Sequence, residues 1–336
     1  METVLLLALV EPDGTLARPA LEALSAALAL GGELAVGLVG GEAAGAANQI
    51  AGAGVARFLS VTGEAFTEPR YSTDAAAAEA LARASGASII LAPSTSRWAR
   101  SLPGAAYRLG GRVDTHAAGL AAAPGGPSVT RWFYRQRMEG VLSRSQRPWV
   151  ILLDPGCVAA WSGPAGTAAV EAVALEPPAS RTAVTGVRAP EADQQTIRPD
   201  AKLLFVAGAG WTKKQADGAV HTSEAETLIL GFLRSAKASL GGSKSLVDLS
   251  GEGEATLRFM THLNQVGQTG STPRHPKGLS TCCHGEEPHV VGWRFVNQRR
   301  AINLDPNCGW ARGKADVLYV ADAFEVMREV NRLLEG

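Results

Sequence analysis

The chain has 336 residues, 46% of them hydrophobic and 19% charged, which is enough apolar material for more than one core and argues against disorder. Its 32 basic and 32 acidic residues cancel, and aromatics are only 6%, so nothing points to nucleic acid or to an anionic membrane surface. Four cysteines are too few for a disulfide scaffold at this length, and no apolar run reaches the roughly 20 residues of a membrane span. The apolar N-terminus runs directly into Glu11-Pro12-Asp13-Gly14, as a buried strand does and a leader does not, so the expected setting is a reducing cytoplasm.

Residues 4–10 form a continuous apolar run bounded by turn residues, the pattern of a strand covered on both faces. A helical Ala/Leu segment over 19–30 and a second apolar run over 34–39 complete a βαβ unit, hence a parallel sheet. The pattern continues with a strand at 56–61, a helix at 73–85 capped by Thr73 or Asp74, and a strand at 88–92. Ser94-Thr95-Ser96 then reads as the turn that starts the helix containing Pro103. Residues 131–138 and 143–153, joined through Glu139-Gly140, read as two strands added antiparallel to the sheet. Residues 176–200 carry Pro177, Pro178, Pro190 and Pro199 without periodicity and read as a connection.

Alternation then restarts. A strand is expected over 203–207, a long helix over 222–240 stopped by Gly241-Gly242, and short strands over 246–249, 289–292, 300–303 and 317–320. A closing helix covers 322–334. The fold class is therefore α/β with two domains. The first (1–180) holds a mostly parallel sheet with an added hairpin, the linker is 181–200, and the second (201–336) is doubly wound, flavodoxin- or Rossmann-like. Ligands of such sheets bind beyond the carboxyl ends of the strands, which directs attention to the loops 208–218, 250–253, 265–270, 284–289 and 303–309.

The most informative stretch is Gln265-Val266-Gly267-Gln268-Thr269-Gly270, where two glycines permit close backbone approach and Gln268 and Thr269 supply donors and acceptors. Alone, it is equally an ordinary hairpin turn. Downstream, His284-Gly285-Glu286-Glu287-Pro288-His289 offers backbone N–H groups and an imidazole, and Ala301-Ile302-Asn303-Leu304-Asp305 ends a strand in polar residues. Cys282, Cys283, His284, His289 and Cys308 cluster in the sequence, but adjacent cysteines are poor ligand geometry and no Cys-x-x-Cys occurs, so no metal is expected. Gly208-Ala209-Gly210 lacks the third glycine of a dinucleotide fingerprint. Trp293 and Trp310 read as core or interface residues. No acid/base or nucleophile constellation stands out, so no catalytic residue is assigned.

On the Val266–Gly270 motif, and on the 20-residue and 14-residue spacings from Thr269 to His289 and from His289 to Asn303, the chain resembles the alpha subunits of electron-transfer flavoproteins. The segment Ile89-Ile90-Leu91-Ala92-Pro93-Ser94 and the strand-to-helix corner Val320-Ala321-Asp322-Ala323-Phe324 extend the resemblance over nearly the whole chain. It implies an electron carrier rather than a substrate-transforming enzyme, with FAD in the second domain. The implied partners are a beta subunit against the first domain, a flavin dehydrogenase as donor, and an iron-sulfur flavoprotein or quinone reductase as acceptor. Thr269 takes the place next to flavin N5 and His289 the N1/O2 edge, where a donor stabilises charge gained on reduction. Asn303 and Asp322 take the ribityl, phosphate and ribose side, and Val266, Gly267, Gln268 and the loop residues His284, Gly285, Glu286, Glu287 and Pro288 line the cofactor.

Departures from the family pattern are equally specific. Ala207-Gly208-Ala209-Gly210 lacks the arginine of the family's Gly-Gly-Arg-Gly turn. The family's Ser-Arg at the end of the next strand is best matched by Ser250-Gly251, without arginine, with Lys244 as a poorer alternative register. Losing two cations while gaining Glu286 and Glu287 should disfavour a reduced, anionic flavin unless Lys213, Lys214, Arg258, Arg299 or Arg300 compensates. Two rival functions stand beside this one: an electron-transfer subunit of a demethylating or amine dehydrogenase complex, and an interaction subunit that has lost its flavin.

Overall fold

The computed structural model describes residues 2–123, 125–133, 138–179, 181–186, 198, 201–248, 256–266, 275–282, 296–308, 311–312 and 315–335. The chain divides into two compact units, Met1–Val187 and Arg188–Gly336.

The first unit contains, in chain order, β1 (Thr3–Leu9), α1 (Arg18–Leu30), β2 (Glu33–Gly40), α2 (Ala44–Gln49), β3 (Arg57–Thr62), α3 (Tyr71–Ser85), β4 (Ile89–Pro93) and α4 (Ser96–Arg108). Next come β5 (Arg112–Ala121), β6 (Ser128–Phe133), β7 (Met138–Leu142), β8 (Trp149–Leu153) and β9 (Val170–Ala172). Among the described residues they form a nine-stranded sheet, order β7-β6-β5-β8-β4-β1-β2-β3-β9, in which every pair is parallel except β5 with β6 and β6 with β7. The two-residue alternation of a strand explains its two cores. Val4, Leu6 and Ala8 of β1 pack with α1 and α2 on one face, while Leu5 and Leu7 pack with α3 and α4 on the other.

Three sequence-based expectations are corrected by this unit. The hairpin is β6 with β7, and Gly140 lies inside β7, where a Cβ would come within 2.8 Å of the Phe133 ring. Residues 149–153, expected in that hairpin, are instead a fully buried parallel strand between β4 and β5, as an unbroken Trp-Val-Ile-Leu-Leu run favours. Thr73 and Asp74 do not cap α3, whose first residue is Tyr71. The Asp74 carboxylate is wholly buried and takes hydrogen bonds from Arg97 Nε (2.9 Å) and Nη2 (2.7 Å). Arg97 also donates to the carbonyls of Phe66, Thr67 and Glu68, tying that loop to α4. Thr95, by contrast, starts α4 as expected, its Oγ1 accepting from Trp98 N at 3.3 Å.

A second buried carboxylate anchors the hairpin side. Asp114 accepts from Arg144 (2.5 and 2.9 Å) and from the indole N–H of fully buried Trp149 (2.9 Å). The Arg144 hydrogen bond, helped by the Trp149 indole, holds the Asp114 carboxyl below the usual carboxylate range despite burial.

The second unit contains β10 (Leu203–Ala207), α5 (Thr222–Ala236), β11 (Ser239–Gly242), α6 (Lys244–Asp248), β12 (His275–Cys282), β13 (Val296–Asn303), β14 (Val317–Val320) and α7 (Ala323–Glu335). Its described strands form one parallel sheet, order β11-β10-β12-β13-β14. Gln265 adds a parallel bridge to Gly242, on the outer side of β11. Numbered along the chain, with Gln265 as the third member, the order is 3-2-1-4-5-6, that of the Rossmann type.

The expected long helix ends at Ala236, where Lys237 turns left-handed (φ 49°), and Gly241-Gly242 ends a strand rather than stopping a helix. Those glycines face bulky neighbours. A Cβ on Gly241 would sit 2.3 Å from Val266 Cγ2, and one on Gly242 would sit 2.1 Å from Met260 Cε. The strand expected at 246–249 is not found over 246–248, which lie in α6, and residue 249 falls outside the described residues. Strand β12 was not expected at all, because Pro276, Lys277 and Gly278 look like loop, yet it pairs on both sides and lies in the middle of the sheet. The strand expected at 289–292 falls outside the described residues.

Candidate functional site

The strand order of the second unit reverses between β10 and β12, and the crevice at a reversal opens at the carboxyl ends of the strands. The rim of this edge is set by the residues just beyond each strand. After β10, the 3-10 turn Ala209–Thr212 places Trp211 fully inside. The Trp211 indole N–H donates to Thr281 Oγ1 at 2.7 Å, and that hydroxyl donates to the Val206 carbonyl at 3.1 Å. Gly208 N–H donates to the Thr281 carbonyl at 2.8 Å. The ends of β10 and β12 are thus fastened to each other, and Trp211 packs 4.7 Å from the Phe324 ring. Because α5 begins only at Thr222, the turn does not lead straight into a helix as a dinucleotide fingerprint requires.

Val266 N–H donates to the Gly242 carbonyl at 3.0 Å, and its fully buried side chain packs with Leu204, Val206, Val296 and Ala301. Val266 is the last described residue of this segment, which lies one strand position outside β11. The approach to Val266 is pinned from behind. Glu226 of α5 accepts from Arg258 N–H (2.5 Å), Nε (3.0 Å) and Nη2 (2.7 Å), bonds that lower its pKa. Arg258, one of the cations considered as compensation, is thus committed to Glu226.

Asn303 closes β13, level with Cys282 on one side and Val320 on the other. It is completely buried. Its Oδ1 accepts from Asp305 N–H at 3.0 Å, but its amide Nδ2 has no partner among the described residues. An unpaired buried donor is costly, and one at the carboxyl end of a strand is open to a ligand's acceptor. Asp322 begins α7, and its Oδ1 accepts from Phe324 N–H (2.8 Å) and Glu325 N–H (3.1 Å). One oxygen of that carboxylate is therefore a helix cap.

Of the site residues expected from sequence, Val266, Asn303 and Asp322 lie together on this edge. Ser250, Gly267, Gln268, Thr269, His284, Gly285, Glu286, Glu287, Pro288 and His289 lie outside the described residues. Sequence reasoning missed Trp211 and Thr281, whose pairing joins residues 70 positions apart, and it ranked the register at Lys244 below that at Ser250 because Gly241-Gly242 imitates a helix stop. Fully buried Ser243 follows β11 directly, and its Oγ accepts from Leu246 N–H at 3.1 Å.

These features define the class: an α/β protein of two units, the first built on a mostly parallel sheet and the second on a parallel sheet whose strand order reverses. A family model for the electron transfer flavoprotein domain matches residues 4–178, just over half the chain, and the chain belongs to the electron transfer flavoprotein family, a family of electron carriers. The match falls within the first unit. A search of curated proteins finds no match. Among the described residues, no helix is long and apolar enough to cross a membrane.

Proposed function

We propose that the chain is the alpha subunit of an electron-transfer flavoprotein. In this reading FAD occupies the carboxyl edge of the second unit, and the first unit pairs with a beta subunit in the cytoplasm. Electrons pass from a flavin dehydrogenase to an iron-sulfur flavoprotein or quinone reductase. FAD supplies the redox chemistry, and the protein sets its access and its potential.

The observation that carries this reading is Asn303 Nδ2, a fully buried donor without a partner among the described residues, at the reversal edge of a Rossmann-ordered sheet. Donors of that kind fit the oxygen-rich ribityl and phosphate part of a flavin dinucleotide, where the residue offers N–H and needs no charge. The resemblance to the family would assign Gln268 and Thr269, which follow Val266 in the chain, together with His284, Gly285, Glu286, Glu287, Pro288 and His289, to the cofactor's surroundings. Asp322 fixes the start of α7.

Co-expression with a beta-type partner, purification and denaturation test this directly. One FAD released per complex, read by absorbance of the supernatant, is the expected result. A colourless complex that takes up no added FAD overturns the reading. Turnover of an amine by the complex alone would instead make it part of a dehydrogenase.

A further inference from the structure

Helix α4 is apolar on two faces. Its inner face buries Trp98, Leu102, Ala105 and Ala106 in the core shared with α3. A second row, Ala99, Pro103 and Tyr107, recurs every four residues on the solvent side. Tyr107 is 86% exposed, more than any other large apolar side chain among the described residues. Half-exposed Tyr71, which opens α3, lies down beside this row, and a Cβ on Gly104 would meet its hydroxyl at 2.0 Å. Pro103 and Gly104 are poor helix formers, and here they leave a low surface between two tyrosines. The inner face already anchors α4, so the outer row is not needed for folding. Exposed aromatic surface rimmed by charge is the mark of a protein interface.

The charge at the two ends of this row is opposite in sign. At the start of α4, Arg97 is engaged by Asp74 and by the carbonyls of residues 66–68, which holds the loop carrying Glu64 and Glu68 there. Neither Glu64 nor Glu68 has an ion-pair partner among the described residues. At the far end Arg83 and Arg108 share Glu79, and Arg83 also donates to the Arg108 carbonyl at 3.3 Å. Arg100, about midway, lies 3.8 Å from buried Asp74 and is half-exposed.

We infer that a second copy of this chain docks on this face, α4 against α4, antiparallel about a two-fold axis. That pairing sets the Glu64 and Glu68 end of each copy opposite the Arg83 and Arg108 end of the other and seats the Tyr107 rows between them. It also runs the two helix dipoles in opposite directions. A parallel pairing would oppose like charges at both ends. Ala99 and Gly104 carry too little side chain to hold the helices apart. A two-fold axis closes the assembly at two copies, and nothing in it depends on a bound flavin.

Sedimentation of the full chain, repeated on its complex with a beta-type partner, tests this. The expected particle holds two copies of the chain. Tyr107→Glu, at a side chain too exposed to be needed for folding, should halve it. Arg108→Glu and Glu68→Arg should each weaken self-association about tenfold. The two together restore opposite charges across the axis and should recover most of that loss. Leu333→Glu, at an exposed apolar residue of α7, should change nothing. An unmodified chain that stays single at about 100 micromolar, above the Kd of a specific interface, would overturn the inference. So would a two-copy particle indifferent to Tyr107→Glu and to both charge reversals. Release of the beta-type partner by Tyr107→Glu, with the second copy retained, would overturn it as well.

Discussion

Asn303→Ala separates a ligand donor from a structural one. In the flavin-free protein the substitution removes the Asp305 N–H bond to Oδ1, worth about 1 kcal/mol, from a half-exposed turn that water can reach. It also removes a buried amide N–H without a partner among the described residues, whose desolvation costs about 1–3 kcal/mol. The two effects oppose each other, so stability of the flavin-free chain should rise by no more than about 2 kcal/mol. If FAD binds as proposed, the same amide N–H pairs with it, and losing that bond should cost about 1–3 kcal/mol of binding, roughly 5- to 150-fold in Kd. Thermal melts of flavin-free and loaded complexes, with FAD titrated by fluorescence quenching, measure both halves. If Asn303→Ala destabilised the flavin-free protein by several kcal/mol with FAD affinity unchanged, Nδ2 would have a structural partner and the ligand argument would fail.

Asp114→Ala strands the indole of Trp149 and leaves Arg144 and Arg131 without their shared carboxylate. With Arg144 39% exposed and free to turn to water, about 2–4 kcal/mol of first-unit stability should be lost, visible in denaturant melts. Because the folded pKa of Asp114 is depressed, its contribution is complete above the ordinary aspartate value and disappears as pH falls through the folded one. The gap between unmodified and Asp114→Ala proteins should accordingly narrow below about pH 4, and a gap constant down to about pH 2 would contradict the assignment. Gly241→Ala drives a Cβ into the stiff, buried Val266 and should cost about 1–3 kcal/mol and weaken FAD retention, while Gly242→Ala meets only the flexible end of Met260 and should cost less. Expression without a beta-type partner should give a chain that aggregates or self-associates, as sedimentation would reveal; a stable, flavin-loaded monomer would count against the proposed assembly.

Much of this protein was legible in one dimension. Leu5, Leu6 and Leu7 announce a strand buried on both faces, and the alternation of such runs with Ala-rich helical segments dictates parallel sheets. The strands at 203–207 and 317–320 match the structure residue for residue, because their apolar runs are bounded by turns or helix starts. Asn303 could be chosen because it ends such a run with a polar residue.

Where local signals conflicted with long-range pairing, only the tertiary structure could decide. β12 begins His-Pro-Lys-Gly and is held by ladders to β10 and β13, which supply the backbone bonds its own sequence does not advertise. Gly241-Gly242 reads as a helix stop until Val266 and Met260, distant in sequence, are seen occupying the space where side chains would be. That one packing fact puts a strand at 239–242, where the sequence suggests the end of a helix, and a helix at 244–248, where it suggests a strand. Likewise Asp74, plausible as a helix cap by composition, is buried against Arg97 because the loop at 66–68 must have its carbonyls satisfied. Apolar periodicity reports what each segment buries. It does not report which segment lies opposite, and the charge and donors of this site depend on that.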